Sequence, residues 1–274
     1  MNNAMRVVAT NLTGLHKGPS FLEELLTQVT NGTPLEVLQE NGDWCHVRQT
    51  DGYEGWAYGA YLMSGPAPQP THIVGASMLG LLAEPFGVKP TRATLLFGGT
   101  MVRVVEQREG NLARIVPAGT QLPPGWTMSM LLRPLASLPL EPAKARAQML
   151  DDSRSLTGTC YLWGGTTALG IDCSGLAQFA HKMVGYTIPR DARLQFPVGR
   201  PVEPPFRAGD LLFFHAEQDN DRITHVGIST GEGSRMIHAS RARNGVYEED
   251  LDAMPKLRAC FAGARSFIND APSS

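Results

Sequence analysis

The sequence has no apolar run able to cross a bilayer; candidates such as residues 78–82 fall far short of the roughly 20 residues a spanning helix needs. It has no lopsided charge either. Lys and Arg number 24 against 26 Asp and Glu, a formal net charge of −2. No broad field therefore favours nucleic acid or an anionic membrane, and neither is an expected partner. Cysteine is scarce, with four residues at 45, 160, 173 and 260, and no pair has the close spacing of a zinc knuckle or a redox dithiol. A Walker-type loop and an HExxH-type metal motif are both missing, so no cofactor or metal is expected. Residues 1–15 carry one Arg and no continuous apolar core, with Asn11 and Thr13 interrupting it. An export signal is not expected, and a cytoplasmic setting with reduced thiols follows, or a periplasmic or secreted one if a leader has been removed.

Glycine (29) and proline (20) are plentiful, which favours turns and short strands. Proline-rich seams at 65–70 and 134–142 read as extended linkers and divide the chain into 1–65, 66–138 and 139–274. The first two segments share a pattern. An apolar alternation from residue 33 is followed by Asn41-Gly42-Asp43-Trp44-Cys45-His46-Val47 and then Gly55-Trp56. The second copy runs through 100–105, then Glu109-Gly110-Asn111-Leu112-Ala113-Arg114-Ile115, then Gly125-Trp126. Each reads as strand, polar turn, strand, loop and Gly-Trp strand, the makings of a small β-barrel. The pattern resembles bacterial SH3-like domains.

The third segment opens with a helical composition over 142–150. A second helix starts at Cys173: Leu176, Phe179/Ala180 and Met183/Val184 recur at helical spacing, Asp172 stands at the N-cap and Gly185 at C′. Strand-like runs follow at 210–215, 224–230, 235–240 and 260–267. Helices followed by strands suggest an α+β domain with an antiparallel sheet.

Cys173 is the candidate nucleophile. The positive end of a helix favours a thiolate, the form that attacks. Gly164, Gly165 and Gly175 leave room for another backbone to come close. Against this stands a buried structural cysteine, which is how Cys45 and Cys260 read in their apolar surroundings. His225 and His238 lie on alternating runs separated by Gly231-Glu232. A two-residue type II′ hairpin there puts His225 directly opposite His238, with Cβ atoms ~5 Å apart. A longer loop over 231–234 instead puts His238 opposite Gly227, diagonal to His225. Without Cys173, the two histidines would read as surface neighbours. His181 reads as lying on the polar face of the Cys173 helix, and His215 as ending an apolar strand at a cleft edge.

Five stretches in order resemble the NlpC family of papain-like cell-wall cysteine peptidases: Tyr161-Leu162-Trp163-Gly164-Gly165, Asp172-Cys173-Ser174-Gly175-Leu176, Arg207-Ala208-Gly209-Asp210-Leu211-Leu212-Phe213-Phe214, His225-Val226-Gly227-Ile228 and Ile237-His238-Ala239-Ser240. The resemblance implies an α+β papain-like catalytic domain, a helix-borne cysteine on an antiparallel sheet, preceded by two small SH3-like β-barrels. It implies Cys173 as nucleophile, His225 as base, His238 as the third polar residue, and Tyr161 beside the oxyanion. That domain order looks like the γ-D-glutamyl–L-diamino-acid endopeptidases, which cut murein stem peptides and read a free N-terminal L-Ala. By that resemblance Asp172, Ser174, Arg190, Asp191, Tyr53 and Glu24 are candidate substrate-binding residues. Arg190-Asp191 is followed by Ala192 where the family's serine is usual. The expected partner is a murein peptide, L-Ala-γ-D-Glu-diamino acid; the sequence does not fix the diamino acid or the oligomeric state. Competing readings are an inactive wall-binding protein, a cysteine acyltransferase on the same fold, and a Cys-His-His metal site.

Overall fold

The computed structural model describes residues 4–65, 67–85, 91–119, 121–217 and 219–269. Pro66, in the first proline-rich seam, lies outside the described residues. The chain divides into two compact units, Met1–Leu138 and Pro139–Ser274.

In the first unit, β1 (Met5–Val8), β2 (Leu12–His16), β3 (Leu25–Thr30), β4 (Pro34–Asn41), β5 (Trp44–Arg48), β6 (Glu54–Tyr58) and β7 (Leu62–Met63) form one sheet in the order β3-β2-β6-β5-β4-β1-β7. The next seven are β8 (His72–Val74), β9 (Met78–Leu82), β10 (Arg92–Phe97), β11 (Met101–Arg108), β12 (Leu112–Pro117), β13 (Gly125–Met128) and β14 (Leu132–Pro134). Their order, β10-β9-β13-β12-β11-β8-β14, is the same path repeated. A register shift falls at the fourth residue of β4, between Val37 and Gln39, and again at the fourth residue of β11, between Val104 and Glu106. Such a bulge bends and twists a strand, which helps a sheet this small to curl. The curl shows in the packing. Val8, Leu15, Val29, Leu35, Val37, Cys45, Val47, Ala57 and Leu62 come from all seven strands of the first sheet and share one core.

The two sheets meet at Asn31. Its side-chain amide donates to the carbonyls of Ala9 (2.9 Å), Thr10 (3.1 Å) and, across the joint, Gly119 (3.2 Å). Its carbonyl oxygen accepts from the Gly119 N–H at 2.7 Å. Gly119 must be glycine here: a Cβ would lie 2.2 Å from the Val8 carbonyl oxygen and 2.3 Å from the Asn31 amide nitrogen.

The second unit contains α1 (Pro142–Arg154), β15 (Thr166–Thr167), β16 (Gly170–Ile171), α2 (Cys173–Met183), α3 (Ala192–Val198), β17 (Arg200–Val202), β18 (Leu211–Ala216), β19 (Asp219–Ser229), β20 (Arg235–Ser240), β21 (Gly245–Asp250), α4 (Pro255–Ala259) and β22 (Phe261–Ser266). A six-stranded antiparallel sheet runs β17-β22-β18-β19-β20-β21. The sequence pattern anticipates α1, α2, β18, β19, β20 and β22; it misses β15, β16, α3, β17, β21 and α4. The central strand β18 is buried on both faces. Leu212 and Phe214 pack with Met236, Leu251 and Ala264 on one side, while Phe213 meets Phe196 edge-on at 5.3 Å. Helix α2 packs against α1, β19 and β20. Among the described residues, no helix is long and apolar enough to cross a membrane.

Candidate active site

Helix α2 is set at both ends. The Asp172 carboxylate accepts from the Gly175 N–H at 2.7 Å, an N-cap bond. At the other end Gly185 takes φ +91°, Tyr186 N–H reaches the His181 carbonyl at 2.9 Å and Gly185 N–H the Lys182 carbonyl at 3.1 Å, a Schellman stop. Cys173 is thereby fixed on the first turn, 8% exposed. The glycines around it make room for the chain itself. A Cβ on Gly175 would lie 2.2 Å from the Gly165 carbonyl oxygen, and one on Gly165 would lie 2.3 Å from that of Gly170.

The cysteine sulfur receives backbone hydrogen bonds from Val226 and Ser174. Val226 follows His225, so the thiol lies against the strand that carries the histidine. At the Cys173 thiol other influences oppose the positive helix end. Burial, then the Asp172 carboxylate, pushes its pKa up to about 12, outweighing the lowering by the backbone bonds and Arg190. Burial also pushes His225 down to about 3, with His238 adding to the shift. Both shifts favour the neutral forms, thiol and imidazole.

The β19–β20 hairpin has the longer of the two loops considered from sequence. Ile228 pairs with Ile237 and Ser229 with Met236, and Thr230 N–H bonds the Arg235 carbonyl at 3.0 Å. This overturns the two-residue turn and places His238 opposite Gly227. The imidazoles still meet: His225 Nε2 and His238 Nδ1 are 2.8 Å apart, with the rings edge-on. Gly227 explains the reach, because no side chain stands between His238 and its diagonal neighbour; a Cβ there would lie 2.6 Å from the Met236 sulfur. His238 is itself buried, and its Nε2 lies 2.8 Å from Glu249 Oε2 on β21. Arg243 Nη1 donates to the other Glu249 oxygen and its guanidinium lies over the Tyr247 ring at 4.0 Å. Burial pulls the Glu249 pKa upward, but the bonds from His238 and Arg243 hold it below the usual carboxylate value. His238 is lowered, by burial first, against the raising effect of Glu249.

Tyr161 bridges to Ile171 beside the helix start, half-buried. Burial, then the neighbouring Cys173 and Asp172, holds its phenol well above the ordinary pKa, and so as a donor. Cys160 beside it is exposed.

Three of the expected substrate-binding residues instead bind one another. Arg190 is 1% exposed and donates to both Asp172 oxygens (3.0 and 2.6 Å) and to Ser174 Oγ at 2.8 Å. Ser174 Oγ donates to Asp172 Oδ1 at 3.2 Å, and Gly164 N–H to Asp172 Oδ2 at 2.8 Å. Asp172, Ser174 and Arg190, expected to read a ligand, thus form one hydrogen-bonded cluster that also locks the first turn of α2. Asp191 is partly exposed and touches Arg193 at 3.1 Å. Gln195 ties this segment to α2 through the Ser174 carbonyl at 3.3 Å and the Pro189 carbonyl at 2.8 Å. Tyr53 and Glu24 belong to the first unit. Tyr53 N–H bonds Asp51 Oδ1 at 3.0 Å in the turn before β6, and Glu24 lies 3.7 Å from Lys17 Nζ.

His181 is also corrected. It is fully buried, Nδ1 bonds the Ala177 carbonyl at 2.8 Å, the ring meets Phe267 edge-on at 5.6 Å, and Nε2 has no partner. Burial lowers its pKa to about 4. His215 is half-buried on β18, with Nδ1 unpartnered. Sequence reasoning missed Glu249 and Arg243. The available signal was the acidic run Glu248-Glu249-Asp250 after a positive-φ Asn244-Gly245 turn. Among the described residues, no group of three or more His, Cys, Asp or Glu is arranged to hold a metal ion.

Residues 158–261 match the NlpC/P60 family and residues 11–63 match the bacterial SH3 domain. The chain is 28% identical over 261 residues to a dipeptidyl-peptidase 6 of Lysinibacillus sphaericus, covering 92% of this chain and 93% of that protein. It is 28% identical over 256 residues to a gamma-D-glutamyl-L-lysine dipeptidyl-peptidase of Bacillus subtilis (strain 168), covering 86% of this chain and 81% of that one. Its fold is similar to the crystal structure of an NlpC/P60 family protein from Bacillus cereus ATCC 10987, with a TM-score of 0.82, 21% identity, and 97% and 100% of the two chains covered.

Proposed function

From a chain that carries an NlpC/P60 cysteine-peptidase domain behind a bacterial SH3 domain, we propose an enzyme that cuts murein stem peptides after the γ-D-glutamyl residue. The observation that carries the reading is the line from the Cys173 helix start to His225 and His238, the two imidazoles 2.8 Å apart. The two relatives named as dipeptidyl-peptidases, matched over most of both chains, support the bond chosen. The organisation proposed is two SH3-like barrels over 1–65 and 66–138 and a peptidase domain over 139–274. The repeated strand order and the repeated bulge support a second barrel.

In this reading His225 takes the Cys173 proton as the sulfur attacks the glutamyl carbonyl carbon. A neutral pair makes proton transfer part of the attack rather than a step before it. Tyr161 and the Cys173 backbone N–H donate to the oxygen of the tetrahedral intermediate. His225 returns the proton to the leaving amine, and water then releases the acyl group. Selection of a free L-Ala amine falls to Asp172 beside the nucleophile, with Glu24 and the partly exposed Asp191 as further candidate carboxylates. A charge-assisted contact of this kind is worth ~1.5–3 kcal/mol. The reading includes free peptides inside the cell as the natural substrate pool.

The test uses L-Ala-γ-D-Glu-diamino-acid tripeptides, free and N-acetylated, with products identified by mass spectrometry. The free peptide should be cut at the γ-D-Glu bond with a kcat/KM about ten- to a hundredfold above that of the acetylated one. Cys173→Ala should abolish turnover while leaving the fold intact. Equal rates on the two peptides would reduce the reading to generic wall-peptide hydrolysis, and cleavage at another bond would overturn it.

A further inference from the structure

We infer that Glu249, held by Arg243, is a positioning residue that sets which nitrogen of each active-site imidazole carries the proton. The inference rests on the reading of His225 as the base. The carboxylate of Glu249 can only accept, so the His238 nitrogen facing it at 2.8 Å, Nε2, carries the hydrogen. Burial keeps His238 neutral, so its Nδ1 has no hydrogen and accepts. The His225 nitrogen 2.8 Å from that Nδ1 is Nε2, which must then be the donor. His225 is neutral too, and its Nδ1 is left with a bare lone pair, the form a general base needs. One half-buried acceptor on β21 thus fixes the tautomers of two rings in series. The order could run the other way with equal distances if the group at 249 donated instead.

Arg243 makes that failure testable. Glu249 offers one oxygen to His238 and the other to Arg243. In Glu249→Gln the guanidinium, which cannot accept, claims the single amide oxygen and turns the NH2 toward His238. His238 Nε2 then accepts, Nδ1 carries the hydrogen, and His225 is driven to the Nδ1–H form that cannot take a proton from the thiol. Without Arg243 the amide is free to turn its oxygen back.

The experiment measures kcat/KM on the free tripeptide for wild type, Glu249→Gln, Arg243→Ala and the double variant, with 15N NMR of the imidazoles reporting tautomers and melting curves reporting folding. Expected is a loss of about a hundredfold or more in Glu249→Gln, since a wrong catalytic tautomer is that costly in related triads. Arg243→Ala should lose less than about tenfold, because the charged acceptor remains. The double variant should recover at least tenfold over Glu249→Gln. The His225 signal should show Nε2–H in wild type and Nδ1–H in Glu249→Gln. A double variant no better than Glu249→Gln, or an unchanged His225 tautomer in it, overturns the inference. The NMR arm is independent of substrate. A wild type with the stated tautomers that leaves the tripeptide uncut overturns the substrate reading and leaves the tautomer inference standing.

Discussion

The two units bury different kinds of polar group. In the first, the buried polar side chains among the described residues are all uncharged: Thr13, Thr27, Thr30, Asn31, Thr100 and Thr127. In the second they include Arg146, Asp152, Asp172, His181, Arg190, Asp210 and His238. A barrel needs only to satisfy its backbone, and a hydroxyl or an amide does that without desolvating a charge. The peptidase unit must also hold a helix start and two imidazoles in one orientation. Buried ions with fixed partners do that, as Arg190 does with Asp172, and Arg146 with Asp210 at 3.0 Å. Such pairs add little net stability, but breaking one is severe because the remaining ion is stranded.

The largest effect expected follows from that asymmetry. Arg190→Met leaves the Asp172 carboxylate buried without its cation, and the second unit should lose ~3–5 kcal/mol. Asp172→Asn on top keeps the N-cap and removes the stranded charge, so the double variant should regain part of the loss. In the first unit Arg48 pairs with Glu54 at 2.7 Å and Glu36 at 3.1 Å, both at the surface. Arg48→Ala should leave that unit's stability unchanged within error. Hydrogen–deuterium exchange against denaturant resolves the two units. Comparable losses from Arg190→Met and Arg48→Ala would break the comparison.

How much of this was legible depends on how local each signal is. The start of α2 is written in adjacent residues, Asp172-Cys173 with Gly175, and its end in Gly185, so both caps could be read directly. The histidine pair needed one hairpin register, which two loop lengths left open until the four-residue turn over 231–234 was seen. Glu249 needed a second hairpin on top of the first, and the sequence offered no strand pattern strong enough to place β21. Arg190 was read as facing a ligand on the family resemblance of Arg190-Asp191, and its bond to Asp172 was not legible because that partner lies 18 residues upstream. His181 stands four residues after Ala177 and eight after Cys173, on the buried stripe of α2, so helical spacing itself argued against a polar face.

Acid should separate the units next. His181 is held to about 4 and His225 to about 3, both below the ordinary 6.5. The unfolded chain therefore binds protons that the folded unit refuses, and this contribution to stability is full above pH 6.5 and is lost as pH falls toward 4. For His181 the slope approaches 1.4 kcal/mol per pH unit. Between pH 6.5 and 5.5, above the range where most carboxylates titrate, the second unit should weaken steeply. In the first unit burial lowers the pKa of His72, which lies half-buried on β8. His181→Leu should remove one proton's worth of the slope. Parallel acid profiles for the two units, read by exchange at each pH, would contradict the assignment. The same lowering places the acid limb of kcat/KM below pH 6.5, since His225 must be neutral to accept the thiol proton.

The smallest effect tests the neutral side of the comparison at Asn31, which joins the two sheets of the first unit. Asn31→Ala removes one acceptor and the donor shared by three carbonyls, leaving the Gly119 N–H and those oxygens in a joint too tight for a Cβ at residue 119. Groups left without partners in this way cost ~1–3 kcal/mol, confined to the first unit. Asn31→Asp is the sharper probe, because it keeps the shape and the acceptor for the Gly119 N–H. It replaces the donor with a charged oxygen facing the carbonyls of Ala9, Thr10 and Gly119, with no described arginine or lysine bonded at the joint to balance it. If burying charge requires a partner placed in advance, Asn31→Asp should destabilise the first unit more than Asn31→Ala, and lowering the pH should narrow the gap as the carboxylate protonates. An Asp variant as stable as the Ala variant at neutral pH would mean that the first unit tolerates charge as readily as the second does. The first unit's uncharged interior would then have no energetic basis.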